Sequence, residues 1–367
     1  MPDLHAWLGR VESLREVVDA HAAEGDRDRR LPNVVAGGIV ANRLYRLWIP
    51  RPFDGEELDL LDSLRVFEAA ARIDGAFGWA VTIGAGGALF APLLPEATAR
   101  QIYAPADALI AGSGTASGEA EVVHGGYHVR GRWKYASGAH QAAWFTASCR
   151  VMREGVPVLD AAGEPLLRAV AVPRESVRIH ETWDTLGMRG TGSHDFEIDC
   201  FVPEAHTFDA FSPPSLPGPL FRFPFLSIAE ASFASVALGV AAHFLELFRE
   251  LAATKRVHDG APLGGHPAVT AAMAEVTVAL EAARLGFLAA VGRAWATTLA
   301  GEAVTKAHSD DVRHSAAFAT RTAVGVSDRL YAYAGMSPLA MGSALGRAWR
   351  DLHTVSQHVL LSPLGWG

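Results

Sequence analysis

The sequence has little cysteine, no excess of basic residues and no long unbroken apolar run. Cys149 and Cys200 are its only two cysteines in 367 residues, and their spacing fits neither a disulfide framework nor a metal site. The net charge of −8 gives no basic surface for nucleic acid or for an anionic membrane. The mixed-charge N-terminus lacks the features of a signal peptide, and serine and glycine interrupt apolar stretches such as 231–240. We therefore expect a soluble, cytoplasmic protein without a membrane or nucleic-acid partner.

Hydrophobic residues make up 50% of the chain, and their spacing changes along it. Apolar residues recur every three or four positions over residues 1–104, which predicts an N-terminal helical domain. Residues 105–210 alternate instead, with glycine and proline breaks, and predict a middle β domain. The Gly125-Gly126 pair within this region is typical of a hairpin turn.

The second half of the chain begins with a proline-rich segment. Five prolines over residues 211–225 predict a connection that forms neither a regular helix nor a central strand. A C-terminal four-helix bundle is predicted over residues 226–367, and the fold class is therefore α+β. Its four helical patterns lie at about 226–257, 265–300, 302–335 and 343–361.

Three motifs occur in a fixed order along this helix–sheet–helix chain. They read "RWKYASGAHQAAWF" (132–145), "WDTLGMRGTGSHDFEIDCFVPE" (183–204) and "AGMSPLAMGSALGRAWRDLHT" (334–354). Together they resemble the acyl-CoA dehydrogenase superfamily over almost the whole chain. Within that superfamily, "GMRGTGSHD" and "WRDLHTVSQH" are similar to the flavin-dependent monooxygenases rather than to the dehydrogenases.

The resemblance implies an acyl-CoA dehydrogenase-like fold and a two-component monooxygenase. Such an enzyme takes reduced FMN or FAD from a separate flavin reductase and oxygenates a small aromatic, polyketide-like or amine substrate through a C4a-hydroperoxyflavin. It also implies a homo-oligomer, expected to be a tetramer. Where the dehydrogenases carry a catalytic glutamate, this chain reads Gln357-His358-Val359. Where phenol hydroxylases of the group carry a histidine, it reads Gly86-Gly87-Ala88, so phenol hydroxylation gains no support.

His358 and Ser137 are the candidate catalytic residues. The resemblance places His358 near the flavin C4a carbon, where a histidine can supply a proton and a hydrogen bond to a developing peroxide. It places Ser137 at the flavin N5 as a hydrogen-bond donor. From the residues alone, a histidine at position 358 is more often structural, and Ser137 could equally satisfy its own turn beside Gly138.

Other contacts are predicted from position in the motifs. Trp133 and Tyr135 stand two residues apart on one strand, so they would share a face and line the isoalloxazine. Ser113, in the loop "AGSGTASG", would contact flavin or substrate. Arg256 is similar in place to a superfamily arginine that binds the flavin phosphate, although a cation at a helix C-terminus is equally plausible. His353 is expected to pack locally or to contact the substrate.

Two other functions stay open at this point. Some acyl-CoA dehydrogenases place their base on the first helix of the bundle, where this chain has Glu230. Tightly bound FAD that an acyl-CoA bleaches would indicate that function. A non-catalytic flavin-fold binding module would instead bind neither redox state of flavin.

Overall fold

The computed structural model describes residues 3–258 and 260–362, and its elements follow the order helices, sheet, helices. Asp59 and Asp74 begin two of the first helices by accepting backbone N–H groups of the first turn, as N-cap residues do. Among the described residues, the helices before the sheet are α1 (Leu4–Glu12), α2 (Arg15–Asp28), α3 (Asn33–Ala41), α4 (Leu60–Ala71), α5 (Gly75–Gly86) and α6 (Glu96–Tyr103).

The described strands form a single mixed sheet. Its strands are β1 (Ile110–Val123), β2 (Gly126–Ala136), β3 (Trp144–Arg153), β4 (Val156–Pro157), β5 (Leu167–Pro173), β6 (Val177–His180), β7 (His194–Pro203) and β8 (Thr207–Phe208). The order is β6-β7-β2-β1-β3-β5-β8, with β4 also paired to β3, and only the β1–β3 pair is parallel among the described strands. The predicted hairpin is confirmed: Gly125 adopts φ +82° between β1 and β2, a conformation that glycine reaches without strain.

After the sheet, the described chain consists of helices and the segments that connect them. Pro219 opens a helical turn inside the proline-rich segment, contrary to the prediction of no regular helix, because proline is tolerated at the first helical position. The last helix ends at Val355, so His358 lies beyond it in a turn and not on the predicted helix. Residues 363–367 of the predicted bundle lie outside the described residues. The helices are α7 (Pro219–Arg222), α8 (Phe225–Thr254), α9 (Pro267–Leu299), α10 (Lys306–Ala334) and α11 (Ala344–Val355).

Helix α8 forms the centre of the molecule. It packs against α4, α5, α10 and α11, and its backbone comes so close to α4 that a side chain at Gly239 would collide with the Glu68 carbonyl. By length and composition, α8 and the stretch Gly75–Leu93 could each cross a membrane, although the sequence suggested no stretch long enough. However, 78% of the apolar window in α8 and 61% of that in Gly75–Leu93 is buried inside the protein. Their apolar character is therefore that of core helices.

Candidate active site

Three aromatic side chains from distant parts of the chain meet between α5, α8 and the turn that follows α11. The ring centroids of Phe233 and His358 are 4.4 Å apart, and those of Trp79 and Phe233 are 4.7 Å apart. Trp79 and His358 are separated by 6.0 Å. The imidazole of His358 thus lies against two aromatic rings, and we refer to these three residues as the aromatic cluster.

The surroundings of His358 determine its protonation. Burial lowers the pKa of His358 to about 4, so the ring is neutral at physiological pH. Its Nδ1 accepts the Leu360 backbone N–H at 3.3 Å, which assigns the ring proton to Nε2. Within residues 3–258 and 260–362, Nε2 has no hydrogen-bond partner. His358 therefore presents one unused N–H donor beside the rings of Trp79 and Phe233.

Ser137, immediately after β2, joins the site through a chain of hydroxyl groups. The Trp79 indole N–H donates to Ser137 Oγ at 2.9 Å. Ser137 Oγ lies 2.7 Å from Ser193 Oγ, which lies 2.7 Å from Thr191 Oγ1. Thr191 Oγ1 donates to the Met188 carbonyl at 2.7 Å. Because a carbonyl can only accept, the three protons must run from Ser137 through Ser193 and Thr191 towards Met188.

This direction changes the role expected for Ser137. Its proton is used on Ser193 and one lone pair accepts from Trp79, so the free position on its oxygen is an acceptor. The predicted donation to a flavin nitrogen would require the bond to Ser193 to break. The sequence motif "GMRGTGSHD" contained Thr191 and Ser193, but nothing in its letters showed that their hydroxyls connect to Ser137.

Hydrogen bonds fasten the loop that carries Thr191 and Ser193 to α11, and an ion pair joins α11 to α2. Asp351 accepts the Met188 N–H at 2.5 Å. Arg350 donates to the Leu186 carbonyl at 3.0 Å and to the Asp26 carboxylate at 2.8 Å. Burial raises the pKa of Asp351 above its ordinary value. The helix that leads to His358 is thus joined directly to the loop that orients Ser137.

The two aromatic residues predicted to line the flavin are separated by the fold. Trp133 is 0% exposed; its indole N–H donates to the Ser148 carbonyl at 2.8 Å, and its ring stacks on Phe196. Tyr135 is 62% exposed beside Trp183, because its φ of +70° interrupts the alternation of the strand. The prediction that both share one face is wrong, and Trp133 belongs to the core. Tyr135 remains open to a ligand.

His353 does not join His358. Its ring nitrogens lie 2.8 Å from the Trp349 carbonyl and 3.1 Å from the Asp328 carboxylate, and its ring packs on Trp349. Both nitrogens are therefore engaged at the contact between α10 and α11. This placement supports the local packing role and gives no support to the predicted substrate contact.

Ser113 and Arg256 remain predictions. The hydroxyl of Ser113 accepts the Thr115 N–H within β1 at 3.4 Å, which is a local contact. Arg256 is exposed two residues beyond the end of α8 and donates to the Gly260 carbonyl at 3.2 Å. Both roles of Arg256, the flavin phosphate contact and the cation near the helix C-terminus, therefore stay predictions.

The groups at the site suit a planar heteroaromatic cofactor. Ser137 offers an acceptor and His358 a neutral donor beside Trp79, and Tyr135, two residues before Ser137, offers an exposed ring. These are the contacts that would hold the ring of a flavin, which carries donors and acceptors along its edge. A flavin, when bound, supplies the electron transfer and oxygen chemistry that protein side chains lack.

Comparisons with known proteins agree with this geometry. The family model described as acyl-CoA dehydrogenase, C-terminal domain, matches residues 231–363. The indole-3-acetate monooxygenase of Pseudomonas putida is 33% identical over 345 residues, or 93% of this chain and 87% of that protein. The oxygenase subunit HsaA of a flavin-dependent monooxygenase from Rhodococcus jostii is 26% identical, over 97% of this chain and 94% of that protein. XiaF from Streptomyces sp., solved with FADH2 and glycerol, matches with a TM-score of 0.89 at 25% identity. The match covers 98% of this chain and 92% of that one.

The fold and the site together define a flavin-dependent oxidoreductase built on the acyl-CoA dehydrogenase architecture. The chain belongs to the flavin-dependent monooxygenases of this fold, as the oxygenase component of a two-component system. Reduced flavin is its cofactor, a flavin reductase its partner and a small molecule its substrate. The predicted family, α+β fold class and enzyme class are confirmed. The acyl-CoA dehydrogenase and binding-module alternatives gain no support.

Proposed function

We propose that this protein oxygenates an indole-type aromatic acid with reduced FAD as the preferred flavin. The relative from Pseudomonas putida, named for indole-3-acetate, matches 93% of the chain, and XiaF was solved with FADH2. The flat rings of Trp79 and Phe233 offer the packing surface that an aromatic substrate needs. The observation that carries the proposal is the neutral His358 donor set against these rings beside the Ser137 hydroxyl.

In this proposal each side chain has a separate task. His358 donates from Nε2 to negative charge that develops on oxygen, and a neutral donor beside apolar rings acts strongly because little water competes. Ser137 and Tyr135 contact the flavin ring, and Trp79 keeps Ser137 in place through its indole N–H. Arg256 binds the flavin phosphate, for which a guanidinium is well suited.

The proposal includes assembly and location. We propose a cytoplasmic homotetramer. The described surfaces of α9 and α10 expose large apolar side chains at Val278 (70%), Leu285 (55%) and Phe318 (55%), and such residues in a group often mark an interface. Both cysteines are free thiols, in keeping with a reducing compartment.

The experiment is a coupled assay with a flavin reductase, NADH and either FAD or FMN. We expect indole-3-acetate to yield a product heavier by one oxygen atom, only when this protein is present, and faster with FAD. A panel of phenols and amines tests the other substrate classes. Consumption of oxygen without any oxygenated indole acid would contradict the proposed substrate, and product from a phenol or amine would replace it.

A further inference from the structure

A partly buried ion pair lies one helical turn from the aromatic cluster. Glu230 on α8 is 4% exposed, and its Oε1 lies 3.3 Å from Nε of Arg313 on α10. Glu230 precedes Phe233 by three residues, so the two side chains are neighbours on one face of α8, about 5 Å apart. The Phe233 ring in turn contacts His358. The ion pair therefore borders the region where an aromatic substrate would lie.

This ion pair is incompletely hydrogen-bonded. Arg313 Nε is buried and, among the described residues, has no hydrogen-bond partner, because its N–H is not aligned with the nearby Glu230 oxygen. Asp310 Oδ1 is 3.6 Å from Arg313 Nη2, too far for a hydrogen bond. Burial raises the pKa of Glu230 to about 7, since the Arg313 charge only partly offsets the loss of hydration. Buried charges with unmade bonds are costly, and native proteins rarely keep them without a further partner.

We infer that Arg313 binds the carboxylate of the substrate and that Glu230 holds the guanidinium in place for it. A guanidinium pairs with a carboxylate through two parallel hydrogen bonds, which the two terminal Nη groups of Arg313 would donate while its enclosed Nε–H stays beside Glu230. The substrate ring would lie against Trp79 and Phe233. A short acidic side chain on that ring, extending one helical turn along α8, would then bring its carboxylate to Arg313. The substrate class is then an aromatic ring with an acetate-length acidic arm. This assignment rests on the proposed function and narrows it.

The charges around Arg313 are consistent with an incoming anion. Glu230 and Asp310 face the guanidinium, but Asp310 also pairs with Lys306 at 2.6 Å and lies near His314. A substrate carboxylate would add a third anion to the site. Glu230 is more buried than Asp310. It would take up a proton as the substrate binds and remain as a neutral hydrogen-bonding group.

The test compares three probes that share one ring: indole-3-acetate, the uncharged indole-3-acetamide, and indole. Binding to the whole protein is measured by calorimetric titration, with and without flavin. We expect wild-type protein to bind indole-3-acetate about tenfold or more tightly than the amide, the scale of charge-assisted hydrogen bonds. Arg313→Met should remove this preference and leave the affinity for indole unchanged. Arg249→Met, at an exposed arginine near the far end of α8, is the matched control and should behave as wild type.

The outcomes separate this inference from the proposed function. Equal wild-type affinity for the acid and the amide would overturn the role of Arg313, and this result needs no variant to fold. If Arg313→Met bound all three probes more weakly and by the same factor, Arg313 would have a structural role, and this result would also overturn the inference. If wild-type protein bound none of the three probes, the proposed indole-type substrate would itself be contradicted. Binding of indole without preference for the acid would contradict the Arg313 assignment alone.

Discussion

His358 has an apolar environment on its ring faces and an unused N–H at its edge. We predict that His358→Ala leaves folding and flavin binding largely intact, because the residue lies in a turn at the edge of the core. The reaction of the protein-bound reduced flavin with oxygen should slow by about 10²-fold, as is typical when one positioned proton donor is lost. Rapid mixing with oxygenated buffer, followed by flavin absorbance, measures this rate.

His353→Ala is the matched control for that change. Its ring nitrogens are both engaged by Trp349 and Asp328, so its loss should affect stability more than the oxygen reaction. A parent-like rate in His358→Ala, or equal slowing in both variants, would show that His358 has no special role.

Arg256 is a second residue whose role can be isolated. Its guanidinium is exposed beyond α8 and contacts only the loop around Gly260 in the described structure. If it binds the flavin phosphate, Arg256→Ala should weaken flavin binding by about 1.5–3 kcal/mol, the scale of a hydrogen bond to a charged group. Titration with FAD and with riboflavin, which lacks phosphate, measures the effect. An equal loss for both ligands would exclude a phosphate contact.

At the scale of elements, the pair of Glu230 on α8 and Arg313 on α10 makes the stability of the protein depend on pH. The pKa of Glu230 is about 7 in the folded protein, above its ordinary value of 4.5. Between these values the folded protein keeps a proton that the unfolded chain releases. The contribution of Glu230 to the free energy of unfolding therefore falls as the pH rises from 4.5 to 7 and is constant above pH 7.

Glu230→Gln removes this titration. We predict that the free energy of unfolding of the variant, relative to wild type, increases by about 2–3 kcal/mol between pH 4.5 and pH 7.5. Urea unfolding across this range measures the difference. The replacement of a neutral carboxyl group by an amide adds a constant offset, so the result is read from how the difference changes with pH. A difference that does not change with pH would mean that Glu230 titrates near its ordinary pKa.

Contiguous motifs predicted more of the site than single residues did. Ser137 and His358 were predicted because each stands in a motif whose order and surroundings resemble a family, and the structure brings both beside Trp79. Trp133 and Tyr135 were wrongly placed on one face because strand alternation assumes an extended backbone, and the φ of +70° at Tyr135 violates it. The pair of Glu230 and Arg313 joins residues of two different helices, and no local pattern shows which residues two helices bring together.

The whole molecule presents apolar side chains that a single copy leaves exposed. Leu285 and Phe318 are each 55% exposed on the described surface of the bundle. We predict a tetramer by light scattering at micromolar concentration, and Leu285→Glu should shift it to smaller species because the charge would be buried at the interface. A monomeric parent protein would contradict this assembly.

The central claim is that the protein uses reduced flavin and O₂ to add one oxygen atom to an aromatic acid. The most direct measurement is a single turnover in ¹⁸O₂, in which the protein, reduced FAD and indole-3-acetate are mixed anaerobically and then exposed to the labelled gas. The predicted result is a product carrying one ¹⁸O atom, formed as the flavin is oxidised. Oxidation of the flavin with all label in hydrogen peroxide and none in the indole acid would contradict the claim.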